Sequence, residues 1–218
     1  MKFEQTQVFN FDGALRGMRN PLNSWAKSDS FYGHGQHLII GPNDMNLAKR
    51  LIAGGTEHRK FLRQIMVSVD ITAPLYWWKE FDTYKVGTTA NSTSTMHKLA
   101  STPITLDCFE TDDYCPDLVY FTHDGDTLTD YTISDITSNI IEDLEALRQK
   151  YNETGDKRFW KELIRLLPNG WLQTRTVTMN YENLRSMYHQ REYHKLVEWH
   201  SFCDWVKTLP YAQEFIID

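Results

Sequence analysis

The chain has few cysteines, no basic excess and no long apolar run. Cys108, Cys115 and Cys203 are its three cysteines among 218 residues, and none forms a Cys-x-x-Cys pair. This odd, scattered set indicates neither a disulfide framework nor a zinc site. Lys and Arg number 23 against 29 Asp and Glu, giving a formal net charge of −6. That balance argues against general nucleic-acid binding, which needs a basic face.

The apolar runs are all shorter than the roughly 18–20 residues that a membrane span requires. The stretch MKFEQTQVFNF at the start contains neither the apolar region nor the cleavage site of a secretory signal. Unpaired thiols fit a reducing compartment. We therefore expect a cytoplasmic protein with no membrane and no nucleic-acid partner.

What the chain does contain predicts one α+β domain over residues 1–218. It is 41% hydrophobic and 13% aromatic, enough to bury a sizeable core without metal or disulfides, and it has no internal repeats. Strand-like patterns occur in KFEQTQVFNF, in WLQTRTVTMN and in IMVSVDIT, where Ile65, Val67, Val69 and Ile71 alternate. Helical patterns occur in GALRGMRNPLNSW, MNLAKRLIAGG, LYWWKEFDTY, SDITSNIIEDLEALRQKYNETG, DKRFWKELIRLLP, YENLRSMYHQR and HKLVEWHSFCDWVKTL. Asn43 and Asp44 are the predicted N-cap of the second of these helices.

Residues 105–134 carry eight carboxylates and little helical period. We interpret them as an irregular, solvated acidic insertion, the usual behaviour of a charge run. A metal site built from these aspartates is the alternative, although their spacing is not that of an EF-hand. His189, His194 and His200 do not have the i, i+4 spacing of helical metal ligands, so we predict no metal.

Asn180 and Arg191, in the C-terminal third of the chain, are candidates for ligand binding. Asn180 is placed to cap the helix that follows it. Arg191 lies one helix length further on, where a guanidinium can form paired hydrogen bonds with a planar carbonyl-amide edge or a phosphate. An ordinary salt bridge is the alternative for Arg191.

The stretch YKVGTTANSTSTMHK, Tyr84 to Lys98, places small polar residues between lysines. It fits either a surface linker or a loop that holds an anion, because hydroxyls and unhindered N–H groups bind phosphate without net basic charge. The run RGMRNPLNSW at the start of the chain, with Arg16, Arg19 and Asn20, is either an ordinary surface helix or an additional nucleotide contact.

The order of these pieces resembles the flavin-dependent thymidylate synthases. GGTEHRKFLRQIMVSVDITAPLYWWKEFDTYKVGTTANSTSTMHK corresponds to the family's first half, which contains an Arg-His-Arg-x-x-Ser-x-Asn-Glu-x-Ser-x-Arg-Tyr loop. In the second half, Pro168, Asn180 and Arg191 have the family's spacing without gaps, and His194 and Glu198 also match. The resemblance covers about residues 40–98 and 135–207 and implies a central antiparallel sheet flanked by helices.

The resemblance also implies roles for individual residues. It implies FAD as cofactor, NADPH and methylenetetrahydrofolate as co-substrates, reductive methylation of dUMP or a related pyrimidine nucleotide, and a homotetramer. Arg191 would be catalytic, withdrawing electron density from the uracil carbonyl. The implied cofactor-binding residues are His58, Tyr84, Lys85, Asn91 and Asn180. The implied substrate-binding residues are Thr89, Ser92, Ser94, Thr95, His97, Arg165 and Arg191.

The first-half loop departs from the family pattern. The Arg-His-Arg triplet is Tyr84-Lys85-Val86 when counted back from Asn91, or Thr83-Tyr84-Lys85 when counted forward from Pro74. The motif's Glu is Ser92, its Arg-Tyr is Met96-His97, and a later Gln is Leu196. These changes favour an alternative function, a catalytically inactive nucleotide-binding homologue with a regulatory or interaction role.

Overall fold

A computed structural model describes residues 1–35, 37–123 and 129–218. The strands are β1 (Lys2–Phe9), β2 (Phe31–Tyr32), β3 (Leu38–Ile39), β4 (Met66–Pro74), β5 (Thr89–Ser92), β6 (Val119–His123), β7 (Thr129–Thr132) and β8 (Leu172–Asn180). The helices are α1 (Phe11–Arg19), α2 (Pro42–Ala53), α3 (Leu75–Phe81), α4 (Thr95–Lys98), α5 (Ile133–Thr154), α6 (Lys157–Leu166), α7 (Tyr181–Arg191) and α8 (Val197–Lys207). A π-helical turn follows at Gln213–Ile217.

A four-stranded antiparallel sheet in the order β1-β4-β8-β5 forms the centre of the fold and is flanked by helices, as predicted. Two side-chain pairs mark the register of its central strands. Thr72 Oγ1 lies 2.7 Å from Thr174 Oγ1, and Thr176 Oγ1 donates to Asp70 Oδ1 at 2.6 Å. The predicted alternation in β4 is confirmed, because Val67, Val69 and Ile71 are buried while the residues between them are partly exposed.

The contacts divide the described chain into two compact units. The first comprises Met1, Thr72–Lys79 and Ser92–Thr174, and the second comprises Lys2–Ile71, Glu80–Asn91 and Arg175–Asp218. The first has a core of Leu99, Ile104, Phe109, Leu144 and Leu163. Its long helix α5 begins with a Thr132–Asp135 capping box and ends at Gly155, close to the predicted bounds.

The second unit buries most of the large aromatic residues that follow β8. Tyr181, Trp199, Phe202 and Phe215 are fully buried, and Trp199 and Phe202 lie in edge-to-face contact with ring centroids 5.4 Å apart. These residues come from α7, α8 and the π-helical turn, so the C-terminal helices are held together by one aromatic core.

The predicted cap of α2 is wrong. The N-cap residue is Gly41, and the N–H groups of Asn43 and Asp44 donate to the Asp29 carboxylate at 2.9 and 3.1 Å. Asp44 is instead fully buried and accepts from Arg19 Nε at 2.5 Å. Arg19 is therefore a buried ion-pair partner, whereas Arg16 and Asn20 of the same run are exposed.

The acidic segment contains regular structure within its described part. Strands β6 and β7 pair antiparallel, with Phe121 opposite Tyr131 and Thr122 opposite Asp130. Residues 124–128 of the segment, including Asp124 and Asp126, lie outside the described residues. Over the residues that are described, no group of three His, Cys, Asp or Glu side chains is arranged to hold a metal ion. Nor does any helix in the described ranges combine the length and hydrophobicity of a membrane span.

In the first unit, Glu145 on α5 fixes the chain that follows α4. It accepts from the Ile104 N–H at 2.8 Å and from Arg148 Nη2 at 2.6 Å, while Arg148 Nη1 donates to the Ala100 carbonyl at 3.2 Å. The hydrogen bonds from Arg148 outweigh the opposing effect of burial and hold the pKa of Glu145 at about 2, against an ordinary 4.5.

We expect Glu145→Gln to destabilise the protein by about 2 kcal/mol at pH 7, because a carboxylate with a depressed pKa stabilises the folded state only while it is charged. The difference from wild type should be complete above pH 4.5, decrease as the pH falls, and vanish near pH 2. Urea unfolding across this range measures it. Glu142→Gln, an exposed change on the same helix, is the control; a pH-independent difference for Glu145→Gln would contradict the assignment.

Candidate functional site

In the second unit, the Glu80 carboxylate contacts three side chains from α7, α8 and the segment between them. Glu80 Oε2 accepts from Trp199 Nε1 at 2.9 Å and lies 3.0 Å from Arg191 Nη1 and 3.4 Å from His194 Nε2. Glu80 is near the end of α3, Arg191 is the last residue of α7, and Trp199 is on α8. A single acid therefore fixes the relative positions of three potential ligand contacts.

The Arg191 guanidinium is held on two aromatic faces. Its Cζ lies 4.8 Å from the Trp199 ring centroid and 5.5 Å from that of Tyr84, and its Nε donates to the Tyr84 hydroxyl at 2.8 Å. Its side chain is only 20% exposed. Cation–π contact and charge-assisted hydrogen bonds orient this group before any ligand binds.

The neighbouring His194 has a defined tautomer. Its Nδ1 accepts the Leu196 N–H at 3.2 Å, so the proton of the neutral ring is on Nε2, which faces Glu80. The Nε2 of His200 lies 2.7 Å from the His194 carbonyl oxygen. The ring of His194 thus presents an N–H group to the Glu80 carboxylate.

Asn180 has the capping role that its position predicts. Its Oδ1 accepts the Asn183 N–H at 2.9 Å, and Asn183 Oδ1 accepts the Asn180 N–H at 3.2 Å. The remaining Nδ2 of Asn180 points to Gly87, where an added Cβ would lie 2.9 Å away. Gly87 has a φ of 76°, which only glycine adopts without strain. Asn183 Nδ2 also donates to the Val86 carbonyl at 2.6 Å, so the loop before β5 lies directly on the start of α7.

The loop residues in the second unit are largely open to solvent. Lys85 and the β5 residues Thr89 and Asn91 are exposed, and β5 is an edge strand of the sheet. Tyr84 differs, because its hydroxyl contacts both Arg191 and Gln190. Thr88 Oγ1 is buried and has no hydrogen-bond partner among the described residues.

The other predicted substrate residues lie in the first unit. Ser94 Oγ accepts the His97 N–H at 3.2 Å and caps the short helix α4, which contains Thr95. Ser92 is exposed at the end of β5. Arg165 on α6 is exposed and ion-paired with Glu162. The predicted set is therefore divided, with Ser92, Ser94, Thr95, His97 and Arg165 in one unit and His58, Tyr84, Lys85, Thr89, Asn91, Asn180 and Arg191 in the other.

His58 borders a cavity of about 370 Å³ in the second unit. Its ring packs on Gly54, where an added Cβ would lie 3.1 Å from Cδ2. Met18, Lys60, Phe61 and Gln64 also line this cavity. The wall is mixed apolar and polar, as in many small-molecule sites.

Sequence reasoning missed Glu80 altogether. Its neighbours in WWKEF give it the appearance of a surface acid on an amphipathic helix, and its partners are far away along the chain. Nor does the sequence around Trp199 distinguish it from an ordinary core aromatic. Cys203, which lies on α8 with Trp199, is buried. Burial raises the pKa of its thiol to about 11, so Cys203 is not an activated nucleophile.

Comparison of the structure with solved proteins identifies the fold. The flavin-dependent thymidylate synthase ThyX from Helicobacter pylori, complexed with FAD and dUMP, matches with a TM-score of 0.67 and 15% identity, over 99% of this chain and 98% of that one. The chain has the fold of the flavin-dependent thymidylate synthases. A second structure of that enzyme, also with FAD and dUMP, has the same TM-score at 16% identity and covers 100% of this chain. No protein-family sequence model and no curated protein matches the chain.

The thymidylate synthase resemblance inferred from sequence motifs is therefore confirmed at the level of the fold. At this identity the match does not extend to individual ligand contacts. The contacts of Arg191, Asn180 and Gly87 are properties of this chain.

We expect Gly87→Ala to destabilise the protein more than Gly55→Ala. Both glycines have positive φ, but an added Cβ at Gly55 meets nothing within 4 Å, whereas at Gly87 it meets Asn180 and Asn183. The shared backbone strain is about 1 kcal/mol, and the clash adds to it. Urea unfolding of the two variants isolates the clash; equal losses would contradict the packing of this loop on α7.

Proposed function

We propose that this protein is a flavin-dependent pyrimidine-nucleotide methylase that acts on dUMP or a close relative, with FAD as cofactor and NADPH and methylenetetrahydrofolate as co-substrates. The observation that carries the proposal is the match, over nearly the whole chain, to a synthase complexed with FAD and dUMP. The pre-oriented guanidinium of Arg191 adds a chemical reason, because it is a planar donor suited to a pyrimidine carbonyl.

In this proposal Arg191 binds the pyrimidine ring and stabilises negative charge that develops on it. Tyr84 and Glu80 engage Nε and Nη1, which leaves Nη2 as the donor to a substrate carbonyl. A donor fixed before binding requires little reorganisation when charge develops. Within the same unit, the hydroxyl and N–H groups of Thr89 on β5 would bind the nucleotide phosphate.

The residues present fit a dinucleotide cofactor such as FAD. An unsatisfied buried hydroxyl costs about 1–3 kcal/mol, so a bound group that satisfies Thr88 Oγ1 is favoured. Lys85 would supply a cation, and His58, Tyr84, Asn91 and Asn180 would complete the site. When bound, the flavin supplies the redox chemistry, and the protein supplies binding and orientation.

A second candidate is a nucleotide-binding homologue without catalysis. The pairing of Arg191 with Glu80 favours it, because a neighbouring carboxylate reduces the positive field that a substrate carbonyl would experience. The family's Arg-His-Arg triplet is also replaced in this chain, which favours the same non-catalytic candidate.

We also propose a cytoplasmic homotetramer. In the first unit Leu118, Tyr120 and Phe121 are each more than half exposed, and exposed apolar clusters of this kind mark interfaces. Light scattering should then give four times the chain mass of 25.7 kDa; a monomer would remove this part of the proposal.

The first test is cofactor retention. We expect purified protein mixed with FAD and desalted to keep flavin absorbance near about 450 nm, and to release tritium from dUMP labelled at C5 when the co-substrates are present. Thr88→Val with Lys85→Ala should lose flavin, whereas the exposed Lys150→Ala should not. Flavin retention without tritium release would support a non-catalytic flavoprotein, and failure to retain FAD would contradict the methylase.

The second test addresses Arg191. We expect Arg191→Lys and Arg191→Ala to weaken dUMP binding by about 10–100-fold, because lysine keeps the charge but loses the planar fork. Glu80→Gln should preserve or increase affinity by removing the competing anion. Calorimetry measures all three, with the exposed Arg158→Ala as control. Unchanged affinity in Arg191→Ala, with the fold verified by near-ultraviolet circular dichroism, would exclude the substrate role.

A further inference from the structure

A second cavity in the second unit is lined by cations and amides. It has a volume of about 620 Å³ and lies between α2 and the chain that follows α1. Its lining residues are Arg19, Leu22, Ser24, Lys27, Asn43, Asn46, Leu47 and Arg50. Three of these side chains are cationic and none is a carboxylate, although the chain as a whole has a net charge of −6.

Arg19 builds one wall of this cavity. Its Nε is paired with the buried Asp44, while Nη1 donates to the Ser24 carbonyl at 3.2 Å and Nη2 to the Lys27 carbonyl at 3.1 Å. The charge of Arg19 is thus compensated within the protein. Its structural effect is to fix the backbone of residues 24–27 against α2, and with it the position of Lys27.

Helix α2 supplies the opposite wall. Asn43, Asn46 and Arg50 are exposed and follow one another at i, i+3 and i+7, so they share a helical face. Within the described ranges, the side chains of Lys27, Asn43, Asn46 and Arg50 form no hydrogen bond or ion pair. The two nearby acids, Asp29 and Asp44, do not line the cavity. Asp29 accepts the Asn43 N–H at the start of α2, and Asp44 is paired with Arg19.

We propose that this cavity binds a small phosphorylated molecule. Lys27 and Arg50 hold the phosphate, since two uncompensated cations suit a dianion and a guanidinium binds phosphate oxygens in pairs. Asn43 and Asn46 donate to and accept from polar groups on the rest of the ligand. The volume lies within the range of about 300–1,000 Å³ that is usual for small-molecule sites.

The site is distinct from the proposed nucleotide and flavin sites. None of the residues assigned to dUMP or FAD lines it. The inference therefore does not rest on the proposed function, and the variants that test the two are different.

Calorimetry at fixed ionic strength, with inorganic phosphate and pyrophosphate as probes, tests the inference. We expect saturable pyrophosphate binding that is weakened at least about tenfold in Lys27→Gln/Arg50→Gln, the loss expected from removing charged hydrogen bonds. Lys49→Gln/Lys150→Gln is the matched control, because it removes the same charge from exposed lysines outside the cavity. Binding should survive both in the control and in Arg191→Ala.

Three results would overturn the inference. The first is the absence of saturable binding by either probe. The second is equal weakening in the two double variants, which would indicate diffuse charge attraction. The third is binding that is lost in Arg191→Ala but kept in Lys27→Gln/Arg50→Gln. Urea unfolding of each variant confirms that the fold is retained; both replaced side chains are exposed, so little change in stability is expected.

Discussion

The interaction on which the candidate site depends is the set of contacts made by the Glu80 carboxylate. Through Oε2 it fixes Trp199 and Arg191 and faces His194. These contacts align the guanidinium with the Trp199 face, so its orientation is determined by the protein. The same carboxylate partly neutralises the charge that would act on a substrate. Under the proposed function, the orientation of Arg191 and the strength of its positive field are therefore opposed, because the carboxylate that fixes the first reduces the second.

The fold persists at 15–16% identity because it depends on patterns more than on particular residues. Val67, Val69 and Ile71 need only be apolar and alternate for β4 to pack, and Gly155 needs only to adopt a left-handed conformation after α5. Apart from Gly87, the stretch from Tyr84 to Lys98 is under no such requirement, since most of its side chains are exposed.

Local signals were sufficient to predict these elements and the Asn180 cap, because the residues involved are neighbours in sequence. The α2 cap was mispredicted, since Asp29 competes from a separate loop and Asp44 is drawn into the core by Arg19. The β6–β7 hairpin was interpreted as irregular because its carboxylates obscured the alternating period. The partners of Glu80 could not be predicted, as they depend on how α7 and α8 return to α3.

Asn180 shows how a capping role constrains a ligand role. Once Oδ1 accepts the Asn183 N–H, only Nδ2 remains for a cofactor, and Nδ2 already faces Gly87. The adjacent Asn183 holds the Val86 carbonyl, so the helix start and the loop backbone are fixed together. A ligand that uses Asn180 must therefore approach along the Gly87 backbone. The φ of 76° at Gly87 and its contact with Asn180 and Asn183 already require a residue without a side chain there.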